Sequence, residues 1–143
     1  MTKVVRRLLS VAITAAVIFM PVTEVSACEG EQILLLVNAE RAKNNLSPYV
    51  MDKSFCDLAL VRAREQEERF SHTRPDNSEW YTVSPLVMSE NIAKATSDDG
   101  EIVVSGWMQS ESHKANVLAS ESTRCGIATY QSNGMTYTVM LTN

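Results

Sequence analysis

Two histidines carry the chemistry open to this chain. His72 lies in "FSHTRPDNS" and His113 in "SESHKANVL", and each follows a serine in a polar stretch beside an apolar one. A buried imidazole needs a partner for each ring nitrogen, and two imidazoles together attract a metal or a carboxylate. Glu90 in "SENIA" is the natural third member, because its neighbours read as buried and an isolated buried carboxylate is costly. The histidines are 41 positions apart on different elements, so spacing alone leaves both a shared site and two separate surface residues open. Ser71 beside His72 would need a base, an orienting third group and an oxyanion hole to act as a nucleophile, and no GxSxG elbow is present.

The elements that must position these groups begin after a leader. Residues 1–27 have a basic start, "MTKVVRR", then the apolar run "LLSVAITAAVIFM", then small residues before Cys28, the pattern of a secretory signal peptide. Pro21 and Glu24 leave the run too short for a permanent membrane span. Removing 27 of 143 residues leaves 116, enough for one domain with one core (28–143). The leader carries three cations and one anion, so the net charge moves from −4 to −6. An acidic surface opposes phosphate backbones and excludes nucleic acid as an expected partner.

In the mature chain, residues 30–46 carry a helical period ended by "NNLSP". A second helix follows, with Ser54 and Asp57 as a capping box and Phe55, Leu58, Ala59, Ala63, Gln66 and Phe70 on one face. Arg41 and Arg62 on these helices read as surface ion-pair residues. Asp98 or Asp99 caps a third helix from about Glu101, with Trp107 in its core-facing stripe. Asn91 and Asn116 are expected to satisfy backbone groups near the site. "GIATYQ" and "MTYTVML" around "SNG" predict a terminal hairpin, Tyr137, Val139 and Leu141 facing one way and Thr136, Thr138 and Met140 the other. Helices first and strands last predict an α+β fold, in layers α-β-α.

Three cysteines, Cys28, Cys56 and Cys125, are spaced too widely for a CxxC motif. Two antiparallel helices joined by a short loop would hold Cys28 about 25 Å from Cys56. The preferred disulfide is therefore Cys56–Cys125, with Cys28–Cys125 second. "VSAC" also matches a lipobox that would tether Cys28 to a membrane, although Glu24 fits that box poorly.

The motifs "LLVNAERAKNNLSP", "RAREQEERFSHTRPDNS", "SENIA", "VVSGWMQSESHKANVL" and "CGIATY…MTYTVML" resemble the CAP superfamily (cysteine-rich secretory proteins, antigen 5 and pathogenesis-related proteins), in its bacterial secreted pattern, from about Ile33 to Leu141. The resemblance implies a three-layer α-β-α sandwich with a mainly antiparallel sheet. It also implies a cleft lined by His72, Glu90, His113 and, in place of the usual second glutamate, Ser110. Glu111 stands next door at a different helical angle. Asn77 and Ser89 replace glycines of the family pattern, and Asn tolerates a positive φ.

Within that resemblance, His72, His113 and Glu90 suffice to hold Zn²⁺ with a water in the open place, or to form a metal-free cluster. The expected function is an extracellular binding module, a monomer, for a lipid or other small apolar molecule or a cell-envelope component. The alternatives are a metal-assisted hydrolase with Glu90 as general base, and an envelope protein tethered through Cys28.

Overall fold

The computed structural model describes residues 30–143, so the leader reading of residues 1–27 and the fate of Cys28 lie outside the described residues. Helix α1 (Glu31–Lys43) buries Ile33, Val37 and Arg41, one residue per helical turn. It stops earlier than the sequence suggests, because Asn45 turns to φ 58°. Strand β1 (Val50–Met51) follows, then α2 (Lys53–Glu68), which buries Phe55, Cys56, Ala59, Arg62, Ala63 and Gln66. The cap of α2 is Asp52, which accepts from the Ser54 N–H, in place of the Ser54–Asp57 box. Asp99 caps α3 (Gly100–Gln109) as expected, and α4 (Glu111–Val117) follows after a single residue, Ser110.

Strands β2 (Ser89–Ala95), β3 (Arg124–Ser132) and β4 (Met135–Thr142) complete a four-stranded sheet in the order β1-β3-β4-β2. Only the β1–β3 pair is parallel, so the sheet is mixed and mainly antiparallel. Asn133 and Gly134, both at positive φ, close the β3–β4 hairpin where "SNG" predicts it. On one face of the sheet, Ile33, Val37, Val103, Trp107 and Val117 from α1, α3 and α4 pack on Ile127 and Met140. On the other, Phe55, Ala59 and Ala63 of α2 pack on Ile92, Ala128, Val139 and Leu141. Covered on both faces, β4 is buried in both alternations, threonines included, which explains why Met140 is as buried as Val139. Gly126 lets α2 approach closely: a Cβ there would lie 2.0 Å from the Phe55 carbonyl carbon.

This layering corrects the cysteine reading. The first two helices are not a hairpin; β1 carries the chain between them and they pack on opposite faces of the sheet. Cys125 is a free, buried thiol, so neither Cys56–Cys125 nor Cys28–Cys125 forms. Burial pushes its pKa up to about 12, against a small lowering by the Arg41 charge. The Cys125 thiol is expected not to react with a disulfide reagent at pH 8 in the native protein, and to react at once in denaturant; equal rates in both would contradict the burial.

Candidate functional site

Glu90 is the second residue of β2, paired with Leu141 of β4. Its side chain is fully buried and held at two points by Arg62, with Nε donating to Oε2 at 2.7 Å and Nη2 to Oε1 at 3.1 Å. The same guanidinium binds Glu65 and donates to the Ser71 carbonyl at 3.0 Å. Burial alone would lower the Arg62 pKa; the hydrogen bonds and charges of Glu90 and then Glu65 outweigh it and raise it. Glu65 itself, partly buried, is held below the ordinary carboxylate range by Arg74 and Arg62. The reading of Arg62 as a surface residue is thus wrong: it is the buried cation around which the site is built. It lies in the buried stripe with Ala59, Ala63 and Gln66, a periodicity visible in the sequence but set aside there because of the charge.

The loop bearing His72 is fixed from α2. Gln66 donates to the Ser71 carbonyl at 3.0 Å and accepts from the Ser71 N–H at 2.9 Å. The Ser71 hydroxyl oxygen accepts from the Thr73 N–H, a local turn. His72 Nδ1 lies 2.9 Å from Glu90 Oε1. An ionised carboxylate only accepts, so Nδ1 carries the proton and Nε2 is the ring nitrogen left for a ligand. The His72 and His113 rings stand 6.0 Å apart between centroids and are tilted by 49°. Two residues distant in sequence, and Glu90, thus share one hollow.

His113 is placed by α4, which is tied to β2 through two amides. Asn91 Nδ2 donates to the His113 carbonyl at 3.0 Å, and Asn116 Nδ2 to Asn91 Oδ1 at 2.8 Å and to the Glu90 carbonyl at 3.3 Å. Both asparagines therefore do what the sequence suggests. Burial first, and then the His72 charge, lower the His113 pKa. The unfolded chain then takes up this proton more readily than the folded one. The protein is expected to keep its full stability above the ordinary histidine pKa of about 6.5 and to lose some of it as pH falls below that value. Urea unfolding of wild type and His113→Asn between pH 7.5 and 5 checks this: the variant's stability should fall less steeply with acid.

Around the rings lie two hollows. One, of about 310 Å³, is of mixed character and is lined by Glu79, Trp80, Met88, Glu90, Ser112 and Asn116. The other, of about 440 Å³, runs between Phe70 and α3 along residues 92–95 of β2. His72 and His113 line both. Ser110 lines neither. It links α3 to α4 with its hydroxyl 3.4 Å from that of Ser112, the serine that does line the smaller hollow. Asn77 adopts φ 69°, the conformation its replacement of glycine anticipates, whereas Ser89 does not turn to positive φ.

The donor set does not match a three-ligand zinc centre. Both Glu90 oxygens are engaged, and among the described residues no three His, Cys, Asp or Glu side chains converge on one point. Glu90 orients His72 from behind rather than offering it a co-ligand.

The sequence model of the cysteine-rich secretory protein family, CAP, matches residues 34–142. The chain belongs to this family. The Bacillus subtilis uncharacterized protein YkwD is 32% identical over 121 residues, covering 79% of this chain and 46% of its own length. The uncharacterized membrane protein YlbC of the same organism is 31% identical over 105 residues, covering 68% and 30%. The chain thus spans less than half of either curated relative. Among solved structures, an outer surface protein of Borrelia burgdorferi shares the fold at TM-score 0.64 and 17% identity, over 80% of this CAP chain and 93% of that one. An extracellular SCP-domain protein of Bacillus anthracis superposes at TM-score 0.64 and 23% identity, over 78% and 39%. NaASP2, solved with Zn²⁺, superposes at TM-score 0.64 and 13% identity, over 85% and 80%.

Proposed function

We propose that this CAP chain is an extracellular binding module whose ligand, a lipid or other small apolar molecule, occupies the hollow along β2 and reaches the histidine pair. The observation that carries this reading is the lining of that hollow: Phe70, Ile92, Ile102 and Trp107 form an apolar trough that His72 and His113 also line. Among the described residues its lining holds no Ser, Thr or Cys, and both Glu90 carboxylate oxygens are engaged by Arg62 and His72. Two solved relatives described as extracellular or outer surface proteins support the location.

Gly106 offers a clean test. It lines the trough, and a Cβ built there meets nothing within 4 Å. Gly106→Leu should fill the trough while leaving the core intact, and should stabilise α3 by about 0.5–1 kcal/mol through helix propensity. Titration of mature protein with lauric acid, followed by the His72 and His113 ring resonances, should show saturable shifts that Gly106→Leu abolishes. Absence of shifts in the wild type would end this reading.

We further propose that residues 1–27 are a cleaved leader and that Cys28 pairs with Cys56. Cys125 is a free thiol and Cys56 is not, which leaves one partner among the three cysteines. Gly30 abuts Ile127 on β3 and the backbone of Cys56 abuts the adjacent Gly126. The pairing excludes a lipid on the same sulfur, and so argues against a tether. Non-reducing peptide mapping of secreted protein should yield a Cys28–Cys56 fragment; an acylated Cys28 would refute the pairing.

A further inference from the structure

We infer that the trough along β2 is built to take an extended polypeptide, which docks by adding a strand to the outer edge of the sheet. This rests on the reading that the trough is a binding site, and it gives that site a second class of ligand beside the small apolar molecule.

Among the described residues β2 is an edge strand, paired only with β4. Four consecutive residues, Ile92, Ala93, Lys94 and Ala95, line the trough. Consecutive residues alternate between the faces of a sheet, so the trough lies along the backbone edge itself. The register fixes which groups it meets. The two-residue loop Asn133–Gly134 makes Ser132 and Met135 the closing hydrogen-bonded pair, so the even-numbered residues of β4 turn towards β2. Their partners Ser89, Asn91, Ala93 and Ala95 turn inward, and Glu90, Ile92 and Lys94 turn their N–H and C=O groups outward. Two side-chain bonds agree with this: Asn116 donates to the Glu90 carbonyl, and Trp107 Nε1 to the Ile92 carbonyl at 3.0 Å.

The Lys94 N–H and C=O and the Ile92 N–H are left facing the trough. Donors two residues apart recur at about 6.6 Å, the repeat of another extended backbone, and an aliphatic chain cannot satisfy them. Side-chain chemistry narrows the occupant. The walls contributed by Phe70, Ile102 and Trp107 are apolar, and no carboxylate lines the trough although the chain as a whole is acidic. Lys94 is the one Lys or Arg of the lining; it is exposed, with its ammonium 5.3 Å from the centre of the Tyr137 ring. The further occupant that this edge fits is an extended segment of another protein, apolar at alternate positions, with a carboxylate within reach of Lys94.

The test uses mature protein and a pooled library of N-acetyl octapeptides with Val, Ile or Thr at alternate positions and one Asp. For the tightest member, the Lys94 amide proton should shift downfield, and its solvent exchange should slow by about tenfold or more at saturation. N-methylation of that peptide at the amides on its bonding edge should weaken it about tenfold, the worth of roughly one hydrogen bond. Lys94→Pro removes an outward N–H without touching the β2–β4 ladder and should weaken binding by a similar factor. Lys94→Gln keeps the donor and should cost only about threefold. The N-methyl arm uses wild-type protein, so it decides the matter even if Lys94→Pro folds poorly. Peptide binding indifferent to N-methylation overturns strand addition. Lauric acid binding with no octapeptide tighter than about 1 mM overturns the peptide and leaves the binding module standing. Failure of both probes overturns both.

Discussion

Arg62→Met is expected to cost about 3–5 kcal/mol of stability, because it leaves the Glu90 carboxylate buried with no cation beside it. The wild-type pair is fully out of water on both sides, and its guanidinium also holds Glu65 and the Ser71 carbonyl. Removing the cation therefore loosens the loop that presents His72 as well as the charge it neutralises. Adding Glu90→Gln should recover part of the loss, since the neutral amide no longer requires a counter-charge. The two singles and the double, measured by urea unfolding, form a cycle with a coupling well above that of a surface pair. His72 should report the same event, with its ring resonances moving in Arg62→Met as the Glu90 contact rearranges. Additive losses, each under about 1 kcal/mol, would show that Arg62 and Glu90 do not act as a buried unit.

What the sequence reveals and hides follows from how each feature is encoded. The hairpin was legible because a two-residue loop with positive φ at both positions demands residues like Asn133 and Gly134. The Asp99 cap was legible for a similar reason: the interaction is local. The meeting of His72, Glu90 and His113 came from resemblance, because nothing in their spacing brings three elements together. β1 was invisible, since two residues have no period, yet it decides that α1 and α2 lie on opposite faces. Missing it produced the wrong cysteine pair. Both buried arginines were missed through a prior about charge. Each stands on its helix's buried stripe, but a charged residue there is usually exposed unless paired, and the pairs come from distant segments.

Arg41 is the second of these, and its loss should be about as severe as that of Arg62, for a different reason. It is 1% exposed, and its hydrogen bonds among the described residues all go to backbone carbonyls. Nε donates to the Ser47 carbonyl at 2.8 Å, Nη1 to the Val117 and Ala119 carbonyls at 2.8 Å each, and Nη2 to the Ser122 carbonyl at 3.3 Å. The guanidinium also lies 3.6 Å from the centre of the Tyr49 ring. One side chain thus ties the loop after α1 to the segment linking α4 with β3. Arg41→Met keeps much of the apolar stem but strands several buried carbonyls, each worth about 1–3 kcal/mol when left unpaired. A total loss of about 3–5 kcal/mol is expected by urea unfolding, after water enters to satisfy part of the network. Arg41→Lys separates charge from geometry, since an ammonium cannot reach four carbonyls spread around a planar fork, so it should rescue less than half of the loss. Because α4 carries His113, its amide exchange should rise in both variants while that of α2 changes little. A lysine variant as stable as wild type would mean that one buried charge, and not the planar fork, secures this end of the molecule.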